Sequence, residues 1–235
     1  MRLKCQKNVF AGLVAAVFLS ASVANAACEV SILGLTCGEA TTYEVQISQI
    51  ELCTGSSGTD CENAAVIGSG TQTFDIADAA VGAQIGSYGT LENLVSGTTY
   101  THIKMTLSTS FNIQGTVAVI GLGDCNTPAG DTGTTTNVLD DVADGGALGT
   151  SSLAVPAVGA LGGGNPTAAF YAGFGLLHNG ATMTIVIALD NPVAITTTMP
   201  IVDIAFRTEE GLAAEDDGGD CTFFPQPPEV SITVK

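Results

Sequence analysis

The chain has 235 residues, of which 46% are hydrophobic and only 12% are charged, and its 23 acidic residues far outnumber its six basic ones. A formal net charge of −17 at pH 7 repels nucleic acids and anionic membranes, so no nucleic-acid partner is expected. The length allows the hydrophobic core of one large β domain or two small ones.

The first 26 residues have the three parts of a secretory signal peptide. A positively charged start is followed by an apolar run from Val9 to Leu19 and then by the cleavage motif Ala24-Asn25-Ala26. The run is too short to span a membrane, and each later apolar stretch is broken by Gly, Pro or polar residues. A lipoprotein signal would instead acylate Cys28, but no large aliphatic residue stands just before it. We therefore expect residues 27–235 to be exported as one domain, either extracellular or at the surface of a bacterium.

Six cysteines remain after the cleavage site, and an even number in an exported chain indicates disulfide bonds. They are Cys28, Cys37, Cys53, Cys61, Cys125 and Cys221. Proximity in sequence favours one bond between the first two and another between the next two, which leaves Cys125 to pair with Cys221. A metal site is the weaker alternative, because there is no Cys-x-x-Cys motif and the chain has only two histidines.

Alternation of apolar and polar side chains predicts several strands in the first half of the chain. Short strands are predicted at Cys28–Leu35, Thr41–Leu52, Ala64–Ile67 and Thr71–Ile76, with a turn between Cys53 and Cys61 and one helical turn at Asp78–Ala83. Two strands follow in the stretch from Thr98 to Ile120, where Ile103, Met105 and Leu107 alternate with polar residues. This pattern suits a sheet with one buried and one wet face.

Part of this region also has recognisable motifs. They are Phe74-Asp75-Ile76, Gly89-Thr90-Leu91 and the run SGTTYTHIKMTL from Ser96 to Leu107. With these motifs, residues 41–110 resemble a bacterial secreted domain family of unknown function. That family has a transthyretin-like (prealbumin-like) β-sandwich, so the resemblance implies this fold and an envelope location but no activity. The disulfides, the acidic loops and the chain after Ile120 depart from the family.

The second half contains loops as well as strands. Asp124–Asp144 is loop-like, and residues 145–189, called here the uncharged segment, contain no Asp, Glu, Lys or Arg. The front of this segment is too apolar for a disordered linker, so it could pack over its own core or cover a partner. Within it, Phe170, Tyr171 and Phe174 lie among glycines, as in a loop packed on something. Strands at Met183–Leu189 and Pro200–Phe206, an acidic loop at 209–220, a polyproline spacer at Pro225–Pro228 and a final strand at 229–235 complete the prediction.

Together these elements predict an all-β fold without a long helix. The expected architecture is an antiparallel β-sandwich of about nine to eleven strands, Greek-key or transthyretin-like in topology. Long glycine-rich and acidic loops connect the strands, and disulfides staple the sandwich.

The sequence offers little for catalysis. It contains no G-x-S-x-G, H-E-x-x-H, P-loop or dinucleotide-binding motif. His102 falls on the polar face of a strand and His178 falls in a His-Asn-Gly turn, so each is expected to be an ordinary surface histidine. We therefore expect no catalytic residue and no enzyme activity.

Two acidic stretches are candidate calcium sites. The first contains Asp140, Asp141 and Asp144, and the second contains Glu215, Asp216, Asp217 and Asp220. The first stretch resembles the start of an EF-hand loop, but its third position is Val142 and its twelfth is Ser151 instead of glutamate. Solvated acidic loops are the simpler interpretation, and calcium is the one cofactor that the sequence suggests.

The leading hypothesis is a non-catalytic extracellular structural or surface protein, such as a subunit of an extracellular filament assembled by β-strand addition. Its partners would be further copies of itself or another surface protein. In the final strand Val230, Ile232 and Val234 alternate with polar residues, so this strand could be donated to a neighbour or could pair within its own sheet. The alternative is a secreted module that binds calcium or a glycan, although the chain has no tryptophan for stacking on sugars.

Overall fold

The computed structural model describes most of the chain after the predicted signal peptide. The described residues are 35–77, 93–136, 138–161, 164, 166–196, 202–226 and 228–234, and at 141, 202–205 and 229–234 the description covers the backbone alone. The signal peptide, nearly all of the strand predicted at Cys28–Leu35 and the helical turn predicted at Asp78–Ala83 lie outside these residues.

The described residues form an all-β fold with one short helix. The described part has sixteen strands, more than the nine to eleven predicted; nine of them have six residues or more and seven have only three or four. The strands are β1 (Thr36–Gly38), β2 (Ala40–Cys53), β3 (Gly55–Ser57), β4 (Asp60–Glu62), β5 (Ala65–Asp75), β6 (Thr99–Ser108), β7 (Ser110–Val119), β8 (Gly123–Asn126), β9 (Leu139–Val142), β10 (Ser151–Ala154), β11 (Leu176–His178), β12 (Thr182–Ala194), β13 (Val202–Arg207), β14 (Leu212–Asp217), β15 (Asp220–Pro225) and β16 (Glu229–Val234). The helix α1 spans Ala168–Gly173, and no helix of the described part is long and apolar enough to cross a membrane.

The larger sheet has eight strands and is built around β2. One edge of β2 pairs with β5, and the opposite edge pairs with both β6 and β7. Because β6 and β7 are separated by a single residue and are both antiparallel to β2, residues 99–119 form one long strand that is interrupted at Thr109. On its far side β6 pairs with β12, whereas β7 pairs with β10 and β8. The short strand β11 pairs with the other side of β12 and forms the edge of the sheet.

A second sheet of four strands, in the order β1-β14-β15-β9, packs against the larger sheet near β7 and completes the sandwich. The core contains apolar residues from both sheets. Tyr43 and Ile113 of the larger sheet and Phe223 of the smaller one are each exposed by 1% or less. The buried positions of Ile103 and Met105 confirm the alternation predicted for β6.

Two of the predicted disulfides are present. Cys125 in β8 is bonded to Cys221 in β15, so this bond joins the two sheets. Cys53 is bonded to Cys61 and closes the small hairpin of β3 and β4. Cys37 is also disulfide-bonded, and its predicted partner Cys28 lies outside the described residues.

The stretches predicted as loops are partly strands, which corrects the sequence analysis. Asp124–Asp144 contains most of β8 and all of β9. The acidic stretch 209–220 is largely a hairpin of β14 and β15 that turns at Gly218 and Gly219, both with positive φ. Sequence patterning missed β14 because two of its three buried positions are the small residues Ala213 and Ala214.

Two further differences concern strand boundaries. The separate strands predicted at Ala64–Ile67 and Thr71–Ile76 are one strand, β5, which continues through Gly70 at a positive φ of 96°. The uncharged segment forms β10, α1 and β11 before β12 begins, whereas only a strand from Met183 was predicted.

The terminal strand has a backbone partner in its own chain. β16 pairs antiparallel with β13 over six residue pairs, from Val202 opposite Val234 to Arg207 opposite Glu229. The two strands form a separate two-stranded sheet that lies beside β12. Of the two possibilities for the terminal strand, donation to a neighbour or pairing within its own chain, the structure shows the second.

Candidate functional site

Exposed apolar side chains concentrate in the uncharged segment. In the described part of the chain seven large hydrophobic residues are exposed, and five of them lie between residues 145 and 189. These five are Leu148, Val158, Phe170, Phe174 and Leu177, and the other two are Val95 and Ile120. Of these five, Phe170 and Phe174 are in contact with each other, and contiguous exposed apolar surface is typical of an interaction site.

The helix α1 and the turn after it lead the chain into β11. The hydroxyl of Thr167 caps the helix by accepting a hydrogen bond of 3.1 Å from the backbone N–H of Phe170. After the helix, Gly175 adopts a positive φ of 67°. A β-carbon at this position would lie 2.6 Å from the carbonyl oxygen of Val186, so both the turn and the close packing on β12 require glycine.

Four aromatic rings cluster beside β11. The ring centre of Phe170 lies 5.2 Å from that of Phe174 and 5.7 Å from that of Tyr171, both edge to face, and Tyr171 stacks on His178. Tyr171 is buried and donates a hydrogen bond to the carbonyl of Pro156, and burial raises the pKa of its hydroxyl. Phe170 and Phe174 are each 37% exposed. The cluster is therefore anchored on its inner side, and its outer side faces solvent.

The strand β11 also has backbone groups that point away from the sheet. The N–H of Asn179 donates to the carbonyl of Thr182 at 2.8 Å, so Asn179 faces β12. Backbone directions alternate along a strand, so Leu177 also faces β12, whereas Leu176 and His178 direct their N–H and C=O groups outward. In the described part of the chain no backbone hydrogen bond reaches these outward groups. We call β11 together with Phe170, Phe174 and Leu177 the aromatic edge.

Both histidines are held by hydrogen bonds to neighbouring residues. The Nδ1 atom of His178 accepts a hydrogen bond of 3.2 Å from the N–H of Gly180, and its Nε2 atom lies 3.2 Å from the carbonyl oxygen of Val155. The Nδ1 atom of His102 lies 2.8 Å from the hydroxyl of Thr101, and that hydroxyl donates to the carbonyl of Thr54. Each ring thus has a role in local hydrogen bonding.

The two predicted acidic stretches are neighbours in the smaller sheet. Asp140 and Asp141 belong to β9, Asp144 follows it, Glu215, Asp216 and Asp217 end β14, and Asp220 begins β15. Because β15 pairs with both β9 and β14, the fold brings the stretches side by side although they are far apart in sequence. Among the described side chains, however, no three His, Cys, Asp or Glu residues are grouped so that they could hold a metal ion.

Some of these carboxylates have local roles in the hairpin. Oδ1 of Asp216 accepts a hydrogen bond of 2.8 Å from the N–H of Gly219, which closes the turn. Burial raises the pKa of Glu215, and the charge of Asp217 raises it further. Calcium binding by the acidic stretches therefore stays a prediction.

A small polar groove, which no sequence pattern predicted, crosses the larger sheet. It has a volume of about 150 Å³ and is lined by polar residues of five strands. The lining residues are Glu44, Gln46, Thr73, Ser108, Ser110, Asn112 and Ser152. Asn112 donates a hydrogen bond of 2.8 Å from Nδ2 to Oε2 of Glu44. These residues meet only through the pairing register of the strands, which the sequence pattern does not reveal.

The predicted assembly residues Val230, Ile232 and Val234 lie in β16, where only the backbone is described. Their role in assembly stays a prediction, because the structure describes their strand pairing but not their side chains.

No protein-family model, curated protein or solved structure matches the chain. The transthyretin-like family resemblance therefore stays a prediction, while the all-β sandwich itself is a property of the structure.

Proposed function

We propose that the chain is a non-catalytic structural or surface protein of the cell exterior that associates with further copies of itself, as the subunit of an extracellular filament does. The observation that carries the proposal is the aromatic edge. It combines exposed apolar side chains, which are stabilised when covered, with outward backbone groups that can extend a sheet.

The distribution of charge favours contact between copies at this place. Copies of a chain with a formal net charge of −17 repel one another over most of their surfaces. The aromatic edge lies within the 45 residues from 145 to 189 that contain no Asp, Glu, Lys or Arg. Two copies that meet there bring few like charges together.

The disulfides support an exterior location. Disulfides form and persist in oxidising environments such as the bacterial periplasm and the cell surface. The bond between Cys125 and Cys221 also joins the two sheets, so it stiffens the sandwich that carries the aromatic edge. Such stiffening suits a protein with a mechanical role.

Strand addition at β11 would leave the described strand pairs of the chain in place. Donation of the terminal strand would require β16 to leave β13, with which it pairs over six residues. Within the described part of the chain, the outward groups of Leu176 and His178 take no part in strand pairing. We therefore propose that assembly uses the sheet edge at β11 and leaves the terminal strand in place.

Electron microscopy of the exported, cleaved protein tests the proposal. The protein is imaged by negative stain over a range of concentrations, with a sample kept in reducing agent and denaturant as the unfolded control. We expect ordered fibres or discrete oligomers that become more abundant with concentration. Monomeric particles at every concentration would contradict the proposal.

The polar groove supports a second candidate function, a secreted module that binds a small glycan. Its hydroxyl, amide and carboxylate groups offer many donors and acceptors to a sugar, although the lining contains no aromatic ring. A Ser110→Trp variant would fill the groove, and Gln49→Trp in the same sheet serves as the control substitution. Saturable sugar binding that only Ser110→Trp removes would support this function, and no binding by the unchanged protein would rule it out.

Calcium binding by the two acidic stretches is the other form of the ligand-binding alternative, and the melting temperature of the protein tests it. A ligand that binds only the folded chain raises its melting temperature. Millimolar calcium should then stabilise the protein more than magnesium does at matched ionic strength. Equal melting temperatures in the two salts would leave the acidic stretches as solvated surface.

A further inference from the structure

We infer that two copies of this chain pair edge to edge through β11, antiparallel and around a two-fold axis, so that Leu177 of each copy faces the same residue of the other. The inference rests on the proposed self-association and deepens it by naming the partner, a second copy, and the geometry of contact.

The backbone of β11 is complementary to itself in this arrangement. Leu176 and His178 direct their N–H and C=O groups outward, and they are placed symmetrically about Leu177. In an antiparallel pair centred on Leu177, Leu176 of one copy lies opposite His178 of the other. The two-fold axis creates this Leu176–His178 pair twice. Each of the two is a hydrogen-bonded pair, so about four backbone hydrogen bonds form across the axis.

The side chains at the axis also match. Leu177 would form a non-hydrogen-bonded pair with its equivalent, in which the two side chains lie closest. Leu177 is 42% exposed in the single chain, so the pairing covers apolar surface that is otherwise in water.

The absence of charged residues from residues 145–189 favours a second copy of this chain as the partner. A partner recognised by charge would present basic groups to the acidic parts of the surface, whereas the aromatic edge has no Asp, Glu, Lys or Arg within its segment. An uncharged surface on a strongly acidic chain is the place where identical copies approach with least repulsion.

The two-fold symmetry and the short length of β11 restrict what this contact can build. A two-fold contact is isologous and closes a dimer, so growth of a filament needs a second contact elsewhere on the chain. Because β11 has only three residues, the contact is short and the dimer is reversible.

Cysteine cross-linking tests the geometry. In the exported full chain, Leu177→Cys places two thiols next to each other at the axis, within reach of a disulfide. Ile120→Cys is the matched control, because Ile120 is 91% exposed and lies in the turn between β7 and β8. We expect the covalent dimer of Leu177→Cys on non-reducing gels to exceed that of Ile120→Cys several-fold. Equal yields from both variants would overturn the inference.

A charge substitution tests the same contact without a new bond. Leu177→Asp should reduce the dimeric fraction measured by sedimentation velocity several-fold, and Ile120→Asp should leave it unchanged, with circular dichroism to verify that both variants fold. If the unchanged chain associates and Leu177→Asp associates equally well, the β11 geometry is wrong while the proposed function stands. If the unchanged chain never associates, both are wrong.

Discussion

The hydroxyl of Tyr43 donates a hydrogen bond of 2.9 Å to the backbone carbonyl of Gln226, which lies 183 residues further along the chain. Tyr43 is only 1% exposed, and burial raises the pKa of its hydroxyl, so the hydroxyl remains a donor. The N–H of Gln226 donates in turn to the carbonyl of Gly211 at 3.0 Å. These bonds tie the central strand β2 to the segment that leads into the terminal strand.

Replacing Tyr43 with phenylalanine should therefore lower the free energy of unfolding by about 1–3 kcal/mol, because the Gln226 carbonyl loses its side-chain partner. Tyr100→Phe is the control. Tyr100 is nearly as buried, but its hydroxyl only accepts a long bond of 3.4 Å from the N–H of Val95, so a smaller loss is expected. Urea denaturation measures both, and equal losses would contradict this account of the Tyr43 bond.

The two described disulfides should differ in their contribution to stability. Cys125 and Cys221 are separated by 96 residues and Cys53 and Cys61 by eight. In the chain-entropy model, replacing the first pair with alanine should cost about 4–5 kcal/mol and replacing the second about 2–3 kcal/mol. Thermal or urea unfolding of the two double variants provides the comparison. A larger loss from the Cys53 and Cys61 pair would show that loop length does not control the effect.

Glu215 should make the stability of the chain depend on pH. Its folded pKa is raised, chiefly by burial and then by the charge of Asp217, above the ordinary value of 4.5. The folded state therefore disfavours the ionised form, and this destabilisation is complete above the folded pKa and disappears as the pH falls to the unfolded value. Glu215→Gln should be more stable than the unchanged chain at pH 7, and the difference should vanish below about pH 4. A difference that does not change with pH would exclude ionisation as its cause.

Deletion of residues 229–235 distinguishes the two roles of the terminal strand. If β16 serves its own chain, β13 loses a partner of six residues, and the truncated monomer should lose several kcal/mol at about 0.5–1.5 kcal/mol for each hydrogen bond. If the strand is donated, the truncated monomer should keep its stability, lose assembly and bind the added terminal peptide. Unfolding and sedimentation measurements separate these outcomes, and we expect the first.

The parts of the fold that were predictable from sequence are those with large alternating side chains. β2 and β6 were predicted because residues such as Ile47, Ile103 and Met105 stand at every second position, and such a pattern fits one face of a sheet. Two of the three predicted disulfides, Cys53–Cys61 and Cys125–Cys221, were predictable because pairing cysteines that are close in sequence left Cys125 and Cys221 for each other. β14 was missed because Ala213 and Ala214, both fully buried, are too small to mark it as a strand.

The candidate sites were harder to predict, because they depend on pairing register and exposure. Phe170 and Phe174 were expected to pack within a loop, but the structure places Phe170 in the short helix α1 and Phe174 at its C-cap, with more than a third of each side chain exposed. The edge position of β11 follows from its pairing with β12, which is a long-range property. Likewise, the polar groove joins Thr73 of β5 to Ser152 of β10 across two intervening strands, β2 and β7, and no local sequence pattern predicts that arrangement.

The central claim is that copies of the chain associate through the aromatic edge. Sedimentation velocity of the exported, cleaved protein at low and high salt tests this claim most directly. Salt screens repulsion between acidic surfaces and does not weaken an apolar contact. The account predicts that the average mass rises with protein concentration and rises further in high salt, toward at least a dimer. A monomer at every concentration and salt, or an association that high salt dissolves, would contradict it.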